Sequence, residues 1–500
     1  MSTVDLTAPN GKKITINTGL FIDNKFVKAK SGETITSIDP STEKEIATVD
    51  AAGPDDVDIA VQAARKALNS PEWRDLDVSD RSALLYKLAE LAEQEREVLA
   101  TLETWDNGKP YSVALAEDLG EVINVFRYYA GWADKLFGQT IPVGPKKFAY
   151  TLRQPVGVCG QIIPWNYPLA MLAWKLGPAL ACGNTIVLKP AEQTPISALY
   201  FATLFEKAGF PPGVVNILNG YGKSAGQAIA SHLDIDKIAF TGSTVTGKQI
   251  QKTAAVNMKN ITLETGGKSP LVVFDDANIE QAAKWAHIGI MYNQGQVCCA
   301  TSRIFVQEAV YESFIEKFKA VTKETSIVGD PFDEKTFQGP QVTKQQYERV
   351  LSYIESGKSE GAKLAFGGVP DTKAGNGKGY FIEPTIFTDV QPSMKIYQEE
   401  IFGPFASVIS FKTEEEALAK ANDTTYGLGA AVFTTNLEKA HRVAARLESG
   451  MVWINSSNDS DHRVPFGGVK QSGIGRELGE AALASYTQTK AVHVNIGTVL

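Results

Sequence analysis

The chain has 500 residues, 43% hydrophobic and 21% charged, the make-up of a soluble globular protein too long for one ordinary core, so two or three domains are expected. A formal charge of −8 gives no electrostatic case for nucleic acid or an anionic membrane as partner. Four cysteines with no C-x-x-C spacing and five scattered histidines argue against a disulfide framework or a zinc site and fit a reducing compartment.

The amino terminus, MSTVDLTAPNGKK, has neither the apolar core of a secretion signal nor the Arg-rich pattern of a transit peptide. No apolar run approaches the roughly 18 residues of a membrane span, and a cytoplasmic location is the expectation. Residues 1–50 read as short β pieces. Residues 54–137 carry apolar residues at helical spacing, as in DRSALLYKLAELAEQEREVLATLET. The glycines and prolines of FGQTIPVGPKKFAYTLRQPVG break that pattern. From Val156 short apolar runs (VGVCGQII, TIVLKP, VVNIL, KIAFTG) alternate with helices of about ten residues, the rhythm of a parallel, doubly wound sheet that binds ligands beyond the carboxyl ends of its strands. A second α/β region follows, with strands LVVF, RIFV, ASVISF, AAVFT and GMVWIN. Two α/β lobes with a cleft between them suggest an enzyme.

Several strand exits carry candidate chemistry. In PWNYP, Asn166 is either a donor to a developing oxyanion or the cap of the helix starting near Pro168. In VLKPAEQTP, Lys189 and Glu192 are a ribose-binding pair or a solvated ion pair. GYGKSAG holds Gly222-x-Ser-x-Gly226, formally a nucleophile elbow, but the nearby His232 and Asp234 do not follow the order such an elbow needs. FTGSTVTGKQ spells most of a phosphate-binding P-loop from Gly242 to Lys248, yet Gln249 stands where Ser or Thr would hold magnesium. In LETGGKSP, Glu264 is a general base or a surface carboxylate, with Gly266 leaving room for a ligand. In GQVCCA, Cys298 and Cys299 are a nucleophile and its neighbour or two small buried residues.

Together these stretches closely resemble the NAD(P)-dependent aldehyde dehydrogenase family: PWNYP, KPAEQTP, FTGSTVTG, LETGGKSP, GQVCCA, EEIFGPF and PFGGVKQSGIGRE occur in the family's order over roughly residues 18 to 495. The resemblance implies two doubly wound α/β lobes plus a small β oligomerisation segment. It implies a dinucleotide-binding domain at 1–137 and 156–264, a catalytic domain at 265–483, and oligomerisation pieces at 138–155 and 484–500, in a homotetramer. It makes Cys298 the nucleophile, Glu264 the general base and Asn166 the oxyanion donor, with Lys175 and Glu477 in a proton relay. The cofactor residues it implies are Ile162, Pro164, Trp165, Lys189, Glu192, Gly222, Gly226, Phe240, Gly242, Ser243, Gly266, Glu400 and Phe402; FTGSTVTG is then a dinucleotide turn and not a P-loop. Glu192 would accept bonds from two ribose hydroxyls and repel a 2′-phosphate, which favours NAD over NADP. Met171, Trp174, Tyr292 and Phe466 would line a passage for small aliphatic or aromatic aldehydes. A relative specialised for betaine aldehyde or a semialdehyde is the alternative, the first wanting an aromatic or acidic pocket and the second an Arg, and a non-catalytic dinucleotide-binding relative is a further one.

Overall fold

The computed structural model describes residues 2–500. Its first sheet is eight-stranded. Five strands run parallel, in the spatial order Asn260–Glu264, Lys237–Thr241, Val158–Ile162, Thr185–Lys189, Val215–Ile217. The chain starts in the middle at Val158, steps twice to one side, then returns across the sheet to Lys237. That reversal creates a crevice beyond the carboxyl ends of Val158–Ile162 and Lys237–Thr241, the topological position at which open parallel sheets take ligands. The inner strands are buried along their whole length, which is why they read as continuous apolar runs and not as alternating ones.

The helix after the first strand, Pro168–Ala181, starts with Pro at its first turn and is buried all round except at Trp174. A helix apolar on every face belongs inside a large core, and here it packs against Leu119–Ala130. At the sheet margins, Leu20–Ile22 and Lys25–Val27 add antiparallel strands on one side. On the other, Gly473–Ile474 returns from near the end of the chain to pair with Leu263 and Glu264.

The second sheet has seven strands, in the order Lys363–Phe366, Thr385–Thr388, Phe405–Phe411, Arg303–Gln307, Pro270–Val273, Gly429–Phe433, Met451–Ile454, all parallel except the first. Thr385–Thr388, Lys363–Phe366 and the helix Lys344–Ser359 were not expected from sequence. The helix buries only Val350, Ile354 and Gly357, too sparse a stripe for a clear helical period.

Only Thr265–Ser269 separates the last parallel strand of the first sheet from the first strand of the second. The carboxyl ends of one sheet therefore meet the amino ends of the other, and the turns between them form the walls of the cleft. A three-stranded antiparallel sheet of Thr140–Ile141, Lys147–Pro155 and Thr487–Asn495 stands apart from both. Among the described residues no helix is long and apolar enough to cross a membrane.

Candidate active site

A cavity of about 730 Å³ lies at the junction, and Asn166, Glu264, Cys298 and Glu477 all reach its wall. Each arrives on a different element. Asn166 follows the strand Val158–Ile162. Its side chain does not cap the next helix, since Tyr167 holds that position; instead its amide donates to the Gln296 carbonyl at 2.9 Å. The turn it belongs to is fixed from behind, where Asn107 donates to the Trp165 carbonyl at 2.6 Å and the Lys109 ammonium sits 4.2 Å from the centre of the Tyr167 ring.

Cys298 follows the helix Ile279–Met291, after a turn in which Asn293, Gln294 and Gly295 all adopt positive φ. Left-handed backbone at two non-glycine residues is costly and persists only where surroundings enforce it. Here Asn293 donates to the Asn166 carbonyl at 3.1 Å, Gln341 to the Gln294 carbonyl at 3.2 Å, and the Val342 N–H to Gln296 Oε1 at 3.0 Å. The Cys298 loop and the Asn166 turn are thus one hydrogen-bonded unit. Among the described residues the Cys298 N–H has no acceptor, and one N–H of the Asn166 amide remains after Gln296 is served. These two donors suit an oxyanion beside the thiol. Contact with Cys299 and burial push the Cys298 thiol well above its ordinary pKa. Cys299 itself is buried and donates to Asn458 Oδ1 at 3.4 Å.

Glu264 ends its strand fully inside the protein. Neither carboxyl oxygen has a hydrogen-bond partner, and burial, with the nearby Glu477, raises its pKa well above the usual range. A carboxylate so placed is a stronger base than a solvated one. Room for it comes from Gly467, where a Cβ would lie 2.6 Å from Glu264 Oε1. Behind it, the buried Lys175 ammonium pairs with Glu477 and donates to Thr241 Oγ1 at 2.8 Å. Glu264 Oε1 and Oε2 and Glu477 Oε2 are unpartnered, so the two carboxyls frame a polar space with room to pass protons.

The other half of the cavity has the features of a dinucleotide cradle. Gly242 ends the strand Lys237–Thr241, and Ser243 caps the helix Thr244–Ala254, its Oγ accepting from the Thr246 N–H at 3.2 Å. The Thr244 and Val245 N–H groups, which have no acceptor among the described residues, and the positive end of the helix dipole face the crevice. Lys248 lies within this helix and donates to Gln471 Oε1 at 2.7 Å, which rules out a P-loop lysine. Pro164, Trp165, Gly242, Ser243, Gly266, Glu400 and Phe402 line the cavity. Trp165 and Phe402 meet edge to face, ring centres 5.2 Å apart. Glu400 Oε1 accepts from the Gly267 N–H at 3.1 Å, and a Cβ on Gly266 would lie 2.2 Å from Glu400 Oε2, so a side chain there would displace the carboxylate. Burial raises the Glu400 carboxyl to about 7.

The remaining cofactor candidates lie off the cavity wall, along the same sheet edge. Ile162 and Phe240 are core residues beneath it. The Lys189 ammonium is buried and donates to Glu192 Oε2 at 3.1 Å, with the Glu192 side chain 32% exposed, so the pair is an anchored one and not a solvated one. Gly222–Gly226 forms a π-helical turn whose Gly226 lies against Lys189. Ser224 Oγ faces the Ala52 carbonyl and His232 faces Asp58, so no nucleophile elbow exists.

The substrate candidates converge too: Met171, Trp174, Tyr292 and Phe466 line the cavity beyond Cys298, with Trp174 and Phe466 ring centres 4.9 Å apart. Sequence reasoning missed Glu117, Asp118 and Glu121, which line the same end. At i, i+4 spacing on a helical stretch the two glutamates read as an ordinary solvated face.

The sequence model described as "Aldehyde dehydrogenase family" matches residues 26–492. An aldehyde dehydrogenase from Davidiella tassiana is 52% identical over 501 residues, covering 100% of both chains. The structure of a Bacillus cereus aldehyde dehydrogenase in complex with NAD+ superposes with a TM-score of 0.93 at 51% identity, over 96% of this chain and 97% of that one. A Staphylococcus aureus betaine aldehyde dehydrogenase, also solved with NAD+, gives 0.95 at 40% identity, over 97% and 96%.

Proposed function

The chain belongs to the aldehyde dehydrogenase family, and on that premise we propose that it oxidises small aliphatic or aromatic aldehydes to carboxylic acids, with NAD as acceptor, through a thioester on Cys298. The observation that carries this reading is the convergence of Cys298, Asn166 and Glu264 on one cavity between two sheets. The cofactor assignment rests on the Gly242–Ser243 turn at the helix amino terminus, on the Lys189–Glu192 pair at the neighbouring strand exit and on Glu400 beside Gly266. We assign residues 1–137 and 156–264 to dinucleotide binding and 265–483 to catalysis.

NAD, when bound along this edge, supplies the acceptor for the hydrogen and electron pair lost by the aldehyde carbon. The chain's own residues do the rest. Once its proton has passed to water in the open cavity, the Cys298 sulfur adds to the carbonyl carbon, and the oxygen takes up the π electron pair. The second N–H of Asn166 and the backbone N–H of Cys298 hold that oxyanion. Loss of hydrogen from the carbon restores the C=O bond and leaves a thioester on Cys298. Glu264 then takes a proton from a water as its oxygen attacks, the C–S bond breaks and the electron pair returns to sulfur. Lys175 and Glu477 carry the proton away from Glu264.

The direct test is absorbance in the reduced-nicotinamide band with propanal and either NAD or NADP. Absorbance rising faster with NAD supports the reading, and no rise with either cofactor overturns it. Asn166→Ala is expected to lower kcat about 10²- to 10³-fold, the usual loss for one oxyanion donor, with a smaller effect on KM. A KM increase with unchanged kcat would remove Asn166 from the oxyanion site.

The small sheet is assigned to subunit association. Phe148, Leu152 and Val494 are exposed on its strands, and Thr487–Asn495 pairs on one side only, an open edge of the kind proteins usually cover. A homotetramer is the expected assembly. Light scattering at the mass of a monomer would contradict it.

A further inference from the structure

The aldehyde end of the cavity carries charge that the oxidation itself does not use. The π-helical turn Ala114–Asp118 and the helix Leu119–Ala130 bring Glu117, Asp118 and Glu121 to the wall beside Trp174, Tyr292 and Phe466. Asp118 is neutralised by the buried Lys109. Glu117 and Glu121 are not, for among the described residues neither has a Lys or Arg partner. The Tyr292 hydroxyl donates to Glu117 Oε2 at 2.5 Å, and Trp174 Nε1–H to Glu121 Oε1 at 3.1 Å. One oxygen of each carboxylate is left with no hydrogen-bond donor. His462 Nδ1 lies 3.8 Å from Glu121 Oε2, but burial lowers that imidazole's pKa, so it is a poor counter-ion near neutrality. Of the side chains on the cavity wall, only Arg349 is cationic, and it is engaged with the Glu400 carbonyl at 2.8 Å.

Resting on the aldehyde-oxidation reading, we propose that this end of the cavity selects aldehydes bearing a protonated amino group, with the carbonyl at Cys298 and the ammonium between Glu117 and Glu121. Each carboxylate has one held oxygen and one free, so the arrangement is an acceptor set for N–H donors. An ammonium there makes charge-assisted hydrogen bonds and offsets the cost of leaving a partly buried carboxylate unpaired. Trp174 and Phe466, ring centres 4.9 Å apart, offer the carbon chain of such an aldehyde an apolar wall. Burial raises the Glu121 carboxyl to about 7, and a bound cation draws it to the ionised form. An anionic semialdehyde meets repulsion from the same groups, with no arginine to receive it. A trimethylammonium aldehyde has no N–H to offer the two free oxygens.

The test is kcat/KM for 3-aminopropanal, propanal, betaine aldehyde and succinate semialdehyde, in the native enzyme, Glu121→Gln and Glu117→Gln. Glutamine keeps an oxygen for the Trp174 or Tyr292 donor, so folding is preserved. The expected result is 3-aminopropanal as the best of the four in the native enzyme, with its ratio to propanal falling about tenfold or more in Glu121→Gln and the loss appearing in KM. Propanal turnover with no preference for 3-aminopropanal, a higher kcat/KM for betaine aldehyde, or a ratio unchanged in both variants would overturn the inference and leave the dehydrogenase reading standing. No turnover of any of the four would overturn the dehydrogenase reading itself.

Discussion

Cys298→Ala is expected to lower aldehyde-dependent formation of reduced nicotinamide by about 10⁴-fold or more, because in the proposed mechanism the substitution deletes the only atom that bonds to substrate. What remains is a cavity with its oxyanion donors and base but no group to make the carbonyl carbon tetrahedral. Cys298 sits in a turn held by Asn293, Gln296, Gln341 and Val342 through backbone and amide contacts, none of which uses its sulfur, so the loss is one of chemistry and not of folding. Cys299→Ala is the companion. Its thiol is committed to Asn458, and turnover in that variant should stay within about tenfold of native, the range expected for a change that removes no bond to substrate. Equal loss in both variants would argue that the pair acts as a unit, and loss in Cys299→Ala alone would reassign the nucleophile.

Glu264→Gln separates the two halves of the reaction. Thioester formation needs sulfur, oxyanion donors and cofactor; hydrolysis needs a base. The variant should release one equivalent of reduced nicotinamide per site in a fast phase and then turn over about 10²- to 10⁴-fold more slowly than native. The native enzyme should also carry an acid limb set by Glu264. Burial and the neighbouring Glu477 raise its pKa, so the reactive carboxylate is lost, as pH falls, at a higher pH than for a solvated glutamate. Activity therefore climbs with pH across that limb, and the limb should be absent from the residual turnover of Glu264→Gln. A slow variant with no fast phase would mean that Glu264 is needed before the thioester, as the acceptor of the Cys298 proton.

The parts of this site legible in the sequence are those written in contiguous stretches at strand exits. A buried parallel strand reads as an apolar run, and the residue after it lies at the edge of the sheet, so Pro164–Asn166, Gly242–Ser243 and Glu264 could be placed near one another before any contact was known. Asn166 has two readings from sequence, and the 2.9 Å bond to Gln296, a partner far along the chain, removes the helix-cap one. The Lys175–Glu477 pair joins residues 302 apart, and no local pattern announces it. Gly473–Ile474 is a two-residue strand with no periodicity to detect, yet it flanks Glu264. Glu117 and Glu121 acquire their meaning from Tyr292 and Trp174 on other helices. What folding adds is the pairing of distant side chains, and the proposed base, relay and aldehyde end all rest on such pairings.

The proposed reaction turns on a covalent bond to Cys298, which peptide-level mass spectrometry can look for in Glu264→Gln quenched in acid after mixing with NAD and propanal. One propionyl group is expected on the peptide spanning Cys298 and Cys299, with fragmentation placing it on Cys298, and none when NAD is left out. A propionyl group on Cys299, or reduced nicotinamide formed with no acyl group on either cysteine, would contradict it.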